Sequence, residues 1–180
     1  VVIEPRYDMA GPFSEGYAVV SKDHWWNTSL IDKAGRAALN LDVHPDVFGM
    51  NYSGFSEGLV FGFVKDKPLA VYMDKDGKIA ISFRKTDKHG AIVQCTPFSE
   101  GLAAVRYSRN WGYIDRTGKM VIAPEYVHVT PFRQGFACVS IADKKNGVER
   151  WRNFIIDEKG TKIKQIPWTT YGGFSEGLVP

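Results

Sequence analysis

Serine and glutamate recur side by side in one tetrapeptide: Phe13-Ser14-Glu15-Gly16, Phe55-Ser56-Glu57-Gly58, Phe98-Ser99-Glu100-Gly101 and Phe174-Ser175-Glu176-Gly177. A fifth site, Phe132-Arg133-Gln134-Gly135, keeps only the outer Phe and Gly. A serine next to a carboxylate could supply a nucleophile and a base. Copying argues against that chemistry, because a catalytic group is normally unique and a repeated one caps a turn or pairs with a neighbouring repeat. None of the copies is a Gly-x-Ser-x-Gly elbow, and His-Glu-x-x-His, P-loop and Rossmann glycine patterns are absent from the sequence. The histidines, His24, His44, His89 and His128, lack metal-ligand spacing, and Cys95 with Cys138 makes neither a zinc site nor a disulfide framework. Both cysteines read as small buried apolar residues. Asp74-Lys75-Asp76-Gly77 is similar to the start of a calcium loop but lacks the next acidic position and the closing Glu. The sequence therefore assigns no catalytic, cofactor-binding or metal-binding residue.

Spacing carries more than identity does. The phenylalanines lie 42, 43, 34 and 42 residues apart, a period that marks a repeat architecture. A second landmark runs in phase: Asp32-Lys33-Ala34-Gly35, Asp74 to Gly77, Asp115-Arg116-Thr117-Gly118 and Asp157-Glu158-Lys159-Gly160. Asp at the first position of a turn hydrogen-bonds the backbone ahead of it, and Gly at the fourth accepts positive φ. Between the landmarks lie short runs rich in aromatic and β-branched residues, such as Leu102 to Tyr107, Trp111 to Asp115 and Lys119 to Ile122. Sustained helical periodicity is absent. The expected fold is all-β, with tandem repeats of about three short antiparallel strands stacked as a solenoid-like array of hairpins. A β-propeller is the alternative. The repeats span 13–54, 55–97, 98–131 and 132–173, with a partial tail at 1–12 and the start of a further repeat at 174–180. In this reading each Phe fills the space between successive repeats.

Trp111-Gly112-Tyr113-Ile114-Asp115-Arg116-Thr117-Gly118-Lys119-Met120-Val121-Ile122 resembles the core of the WG repeat, a bacterial β-repeat. Phe98 to Ala103 is similar to that family's Phe-x-x-Gly-Leu-Ala opening, and Pro124 to Tyr126 to its Pro-x-Tyr tail. Val2 to Tyr7 matches the same tail, with Tyr7 six residues before Phe13 as Tyr126 is before Phe132. The other repeats depart from the pattern: Thr28, Ala70 and Asn153 stand where the third has Trp111. Trp26 and Trp151 fall six residues before their Asp. The resemblance implies an interaction repeat rather than an assigned enzymatic activity.

Against the 34-residue third repeat the others are longer by eight or nine residues. The excess lies within 40–53 and 82–96 in the first two, and around Asp143 to Arg150 in the fourth. Such insertions are expected to form loops on a binding face. Two are basic, giving Arg84, Lys85 and Lys88 in one and Lys144, Lys145 and Arg150 in the other. These could meet an acidic protein surface or a phosphate backbone, though solvated loops would have the same composition. Trp25, Trp26 and Trp151, near hairpin tips, could stack sugars or peptide aromatics, set against ordinary core packing. Together these nine residues form the candidate binding surface.

Bulk composition fits this picture. With 180 residues, 44% of them hydrophobic, the chain can bury a core. A net charge of +3 is too small to argue for nucleic acid. No signal peptide or apolar run of membrane-spanning length is present. The chain opens on Val1 rather than Met, so an upstream segment is expected, and a cytoplasmic location is only slightly favoured over the cell surface. The leading functional reading is a non-enzymatic scaffold for protein–protein interaction, part of a larger bacterial protein and without a cofactor. The alternative is a carbohydrate or cell-envelope binder using hairpin-tip tryptophans. A recruitment domain fused to an enzyme beyond Val1 or Pro180 is a third reading.

Overall fold

The computed structural model describes residues 3–4, 6–22, 27–40, 43–44, 54–64, 70–83, 92–145 and 148–167. They form four antiparallel sheets of four strands each, every strand hydrogen-bonded to the next in sequence. Sheet 1 holds β1 (Met9–Ala10), β2 (Tyr17–Lys22), β3 (Asn27–Asp32) and β4 (Ala37–Asn40). Sheet 2 holds β5 (Val43–His44), β6 (Val60–Val64), β7 (Ala70–Met73) and β8 (Ile79–Phe83). Sheet 3 holds β9 (Ile92–Cys95), β10 (Leu102–Tyr107), β11 (Asn110–Asp115) and β12 (Met120–Tyr126). Sheet 4 holds β13 (His128–Val129), β14 (Phe136–Lys145), β15 (Val148–Asp157) and β16 (Lys162–Ile166). The all-β expectation holds. Each sheet contains the three strands that follow a Phe motif plus a short first strand that precedes it. Four-stranded meanders of this kind are the blades of β-propellers.

The chain divides into two compact units, Val1–Asp87 and Lys88–Pro180, each built of two neighbouring sheets. In the first unit Val19 and Leu30 of sheet 1 pack on Val60, Val71 and Met73 of sheet 2, with Phe55 between them. In the second, Leu102, Ala104 and Tyr113 of sheet 3 pack on Ala137, Val139 and Ile156 of sheet 4, with Phe132 between them. The same phenylalanine pocket is made in two ways. Tyr17 on β2 and Leu30 on β3 surround Phe55, whereas Leu102 on β10 and Tyr113 on β11 surround Phe132. The aromatic and aliphatic walls have exchanged positions at nearly constant volume, which close packing tolerates. In both, Tyr and Phe meet at a steep angle: 63° with centroids 5.7 Å apart in one and 70° at 4.9 Å in the other.

Two turns lie side by side at one end of each sheet. The Phe motif makes the first: Ser14 and Tyr17 exchange backbone hydrogen bonds of 2.8 and 3.0 Å across Glu15 and Gly16. Glu15 has φ 51° and Gly16 φ 94°, so both central residues are left-handed, the signature of a type I′ hairpin turn. The Asp motif makes the second. The Asp32 amide donates to the Arg36 carbonyl, Gly35 donates back to the Asp32 carbonyl, and Gly35 has φ 77°. This is a type I turn closed by a left-handed glycine. The remaining hairpin, between the second and third strands, points to the opposite end.

Register explains why only one repeat carries a Trp-Gly pair. All four sheets have a bulge one step before the Asp, as between Leu30↔Leu39 and Ile31↔Ala37. Between its last two strands, sheet 3 alone has a second, wider one: Trp111 pairs with Tyr126 and Tyr113 with Ile122, so Ala123, Pro124 and Glu125 all face Gly112. A Cβ on Gly112 would stand 2.5 Å from the Ile122 carbonyl oxygen and 2.9 Å from the Pro124 nitrogen. At the equivalent positions Ser29, Val71 and Phe154 pair one-to-one with Asn40, Ser82 and Gln165, and a side chain is accommodated. Proline in β12 cannot donate to the ladder, and the bulge is the arrangement that admits it.

Two stability measurements follow from this packing. Gly112→Ala should cost about 1–3 kcal/mol in urea unfolding, because backbone rather than a flexible side chain must move. Phe132, fully buried, should cost about 3–5 kcal/mol on truncation to alanine. Phe13 is 44% exposed at the rim of an apolar hollow lined by Ile3, Tyr7 and Val20, so Phe13→Ala should cost about 1 kcal/mol or less. Equal losses at Phe13 and Phe132 would contradict this account.

Candidate binding surface

Of the candidate residues, Trp25, Trp26, Arg84, Lys85 and Lys88 lie outside the described ones. Lys144, Lys145, Arg150 and Trp151 sit on the β14–β15 hairpin, and here the structure corrects the expectation of a loop. The insertion of the fourth repeat continues the ladder: β14 and β15 have ten residues each where β10 and β11 have six. Four rungs are added, Ala142↔Trp151, Asp143↔Arg150, Lys144↔Glu149 and Lys145↔Val148. Extension satisfies part of the backbone of the insertion, because alternate added rungs exchange hydrogen bonds across the hairpin.

The ladder separates the candidates by face, since neighbours along a strand point to opposite sides. Trp151 shares a face with His128, Ser140 and Asn153, turned away from sheet 3. It is 39% exposed, so it is not the core-filling residue weighed from the sequence, and its ring lies 4.6 Å from that of His128 at 54°. Arg150 is on the other face with Arg152, whose guanidinium pairs with Asp143 at 3.2 Å and lies 5.8 Å from the Phe154 ring. Asp143 thus holds one arginine of the ribbon beside the other. His128 is the member sequence reasoning missed. It precedes a Phe motif by four residues, and only the pairing of β13 with β14 brings it near Trp151.

Ser14, Glu15, Ser99 and Glu100 are occupied as joints. Ser14 Oγ donates to the carbonyl of Phe55 at 2.5 Å, and Ser99 Oγ to that of Phe132 at 2.7 Å. Glu15 accepts from the Gly58 amide with both carboxylate oxygens at 3.1 Å, and Lys75 Nζ lies 2.9 Å away. Glu100 accepts from the amides of Gln134 at 2.5 Å and Gly135 at 2.8 Å. Each carboxylate therefore clamps the type I′ turn of the next repeat. That duty accounts for glutamate at a left-handed position where Asn or Gly would be less strained. Among the described residues no group of three or more His, Cys, Asp or Glu side chains could hold a metal ion.

Charge reinforces these turns. The hydrogen bond from Lys75 leads the effects that hold Glu15 below its ordinary carboxylate range, with the Gly58 amide adding to it. Asp32 is lowered chiefly by the Arg36 amide, Asp115 by the Thr117 hydroxyl and Asp157 by the Thr161 amide. A carboxyl lowered on folding stabilises the fold above its unfolded pKa and loses that contribution as pH falls through its folded value. The urea midpoint should therefore be level near neutrality and fall once pH drops below the ordinary values of 4.5 for Glu and 3.8 for Asp. Glu15→Gln should reduce stability at pH 7 and flatten the acid slope. An unchanged slope would remove the joint from the account.

Comparison with known proteins bears on the fold and the repeat. The chain is similar to the solved structure of dihydro-heme d1 dehydrogenase NirN in complex with DHE, with TM-score 0.54 and 14% identity over 92% of this chain. It spans 39% of that β-propeller-like structure, and the likeness, one of fold alone, is compatible with the propeller alternative. Apo AztD from Citrobacter koseri matches at TM-score 0.45 and 15% identity, over 82% of this chain and 44% of that one. A Bacteroides caccae protein of unknown function matches at TM-score 0.37 and 11% identity, over 87% of this chain and 80% of that one. No curated relative matches in sequence. The pattern of the WG containing repeat matches residues 1–23 and 111–144. Both stretches contain a Pro-x-Tyr tail, a Phe motif and the strand beyond it, and the second begins earlier, at Trp111-Gly112. Over those two stretches the chain is similar to the WG repeat.

Proposed function

We propose that this chain is a non-enzymatic repeat module that binds a protein partner through the lengthened β14–β15 ribbon. The observation behind this reading is the ribbon itself. Four extra rungs are not needed to complete a sheet, since the six-residue strands of sheet 3 already do so. They carry the exposed Trp151, backed by His128, on one face and Arg150, beside Arg152 of the preceding rung, on the other; Trp and Arg are enriched where proteins meet. A glycan reading draws on the same Trp151, because a half-exposed indole can stack on a sugar ring.

Removing 142–145 and 148–151 leaves Asn146-Gly147 joining six-residue strands like those of sheet 3. The shortened chain should keep its β-sheet circular dichroism and unfold cooperatively. It should lose the protein that co-purifies with the intact chain, as should Trp151→Ala. Retention of that partner by both variants would refute the proposal. Glycan-array signals abolished by Trp151→Ala, with no protein partner recovered, would shift the assignment to carbohydrate.

A further inference from the structure

β14 is much longer than the strand on its inner side. It runs from Phe136 to Lys145, whereas β13 pairs only with Val139 and Ser140. The Ser140 carbonyl accepts from the Val127 amide, so Ser140 turns its backbone groups toward the β13 side. In an antiparallel ladder alternate residues turn the same way. Ala142 and Lys144 therefore aim their N–H and C=O groups past the end of β13. Among the described residues no strand continues β13 beside them. A strand edge of this kind is a template for pairing with another segment.

Trp151 stands directly across from Ala142, and His128 directly across from Ser140 on the other side of β14. The two rings nevertheless approach to 4.6 Å between centroids. The indole therefore reaches over β14, above the small Ser140 and Ala142, toward the β13 side. A residue added opposite Ala142 would stand in line with His128 and meet the half-exposed indole. That selects the β14 edge of the ribbon over its β15 edge.

Charge narrows the occupant. From Ala142 to Arg152 the sequence sets Lys144, Lys145, Arg150 and Arg152 against Asp143 and Glu149, a formal charge of +2. A second copy of the chain would bring the same charge to the same edge and be repelled, whereas an acidic segment is attracted. Strand addition takes its affinity from main-chain hydrogen bonds and its specificity from alternate side chains. Resting on the reading of the ribbon as a binding face, we infer that an extended, acidic segment of a partner protein adds to β14 as a strand. It pairs with Ala142 and Lys144 and places one apolar side chain against Trp151.

The probe is the end-blocked peptide Asp-Glu-Thr-Phe-Thr-Glu-Asp, titrated into the intact chain and followed by fluorescence anisotropy and amide hydrogen exchange. Saturable binding is expected, with exchange slowed at Ala142 and Lys144. The same peptide with Lys in place of each acidic residue should bind roughly tenfold weaker or worse. Ala142→Pro removes an edge donor without breaking a bond to β15, so it should weaken binding roughly tenfold or more and keep the β-sheet circular dichroism. Full binding by that folded variant would overturn strand addition. So would absence of peptide binding, or unslowed exchange at the two amides of the unaltered chain, a readout that carries the test if the variant does not fold. Equal binding of the Lys peptide would overturn the acidic preference. Protection of Ala142 that rises with chain concentration before peptide is added would give the edge to a second copy instead. The ribbon reading fails separately, through a partner retained by the shortened chain.

Discussion

Everything in this fold depends on how one sheet is fastened to the next within each compact unit. A phenylalanine from the following repeat is buried against the preceding sheet, and its backbone carbonyl accepts from a serine of that sheet's first turn. The glutamate beside the serine reaches across to the amides of the following turn. The apolar contact supplies most of the free energy, and the polar pair fixes orientation, since hydrogen bonds are directional and burial is not. A left-handed glutamate is a local strain accepted for that reach. Where the sequence changes to Arg133-Gln134, the turn geometry survives, with Gln134 at φ 54°. The turn therefore tolerates replacement of both the Ser and the Glu side chain.

Around this joint the repeats vary in ways the backbone permits. The exchange of Tyr and Leu around Phe55 and Phe132 preserves volume. Gly112 is tied instead to a single local event, the wide bulge at Pro124. Trp-Gly is thus a feature of one register rather than a requirement of the sheet, and repeats without the bulge carry larger residues in its place.

The same tolerance leaves room for specialisation. Four rungs added to β14 and β15 extend a ribbon without touching the joint, because hairpin growth at the far end satisfies its own hydrogen bonds. The scaffold and the candidate sites are consequently carried by different positions of one repeat.

The residue pattern by itself determined the all-β class, the period and the two turns. Asp-x-x-Gly and Phe-x-x-Gly encode local backbone geometry, and local geometry needs no distant partner. The role of the repeated Glu as a joint was also legible, because four copies argue against a unique catalytic group. Two features required the tertiary structure. The fourth-repeat insertion became strand rather than loop, since composition cannot say whether polar residues will pair with each other across a hairpin. His128 met Trp151 only through the pairing of β13, β14 and β15. Turns are decided by neighbours along the chain, whereas sites are decided by neighbours across it, and those are set by register and packing.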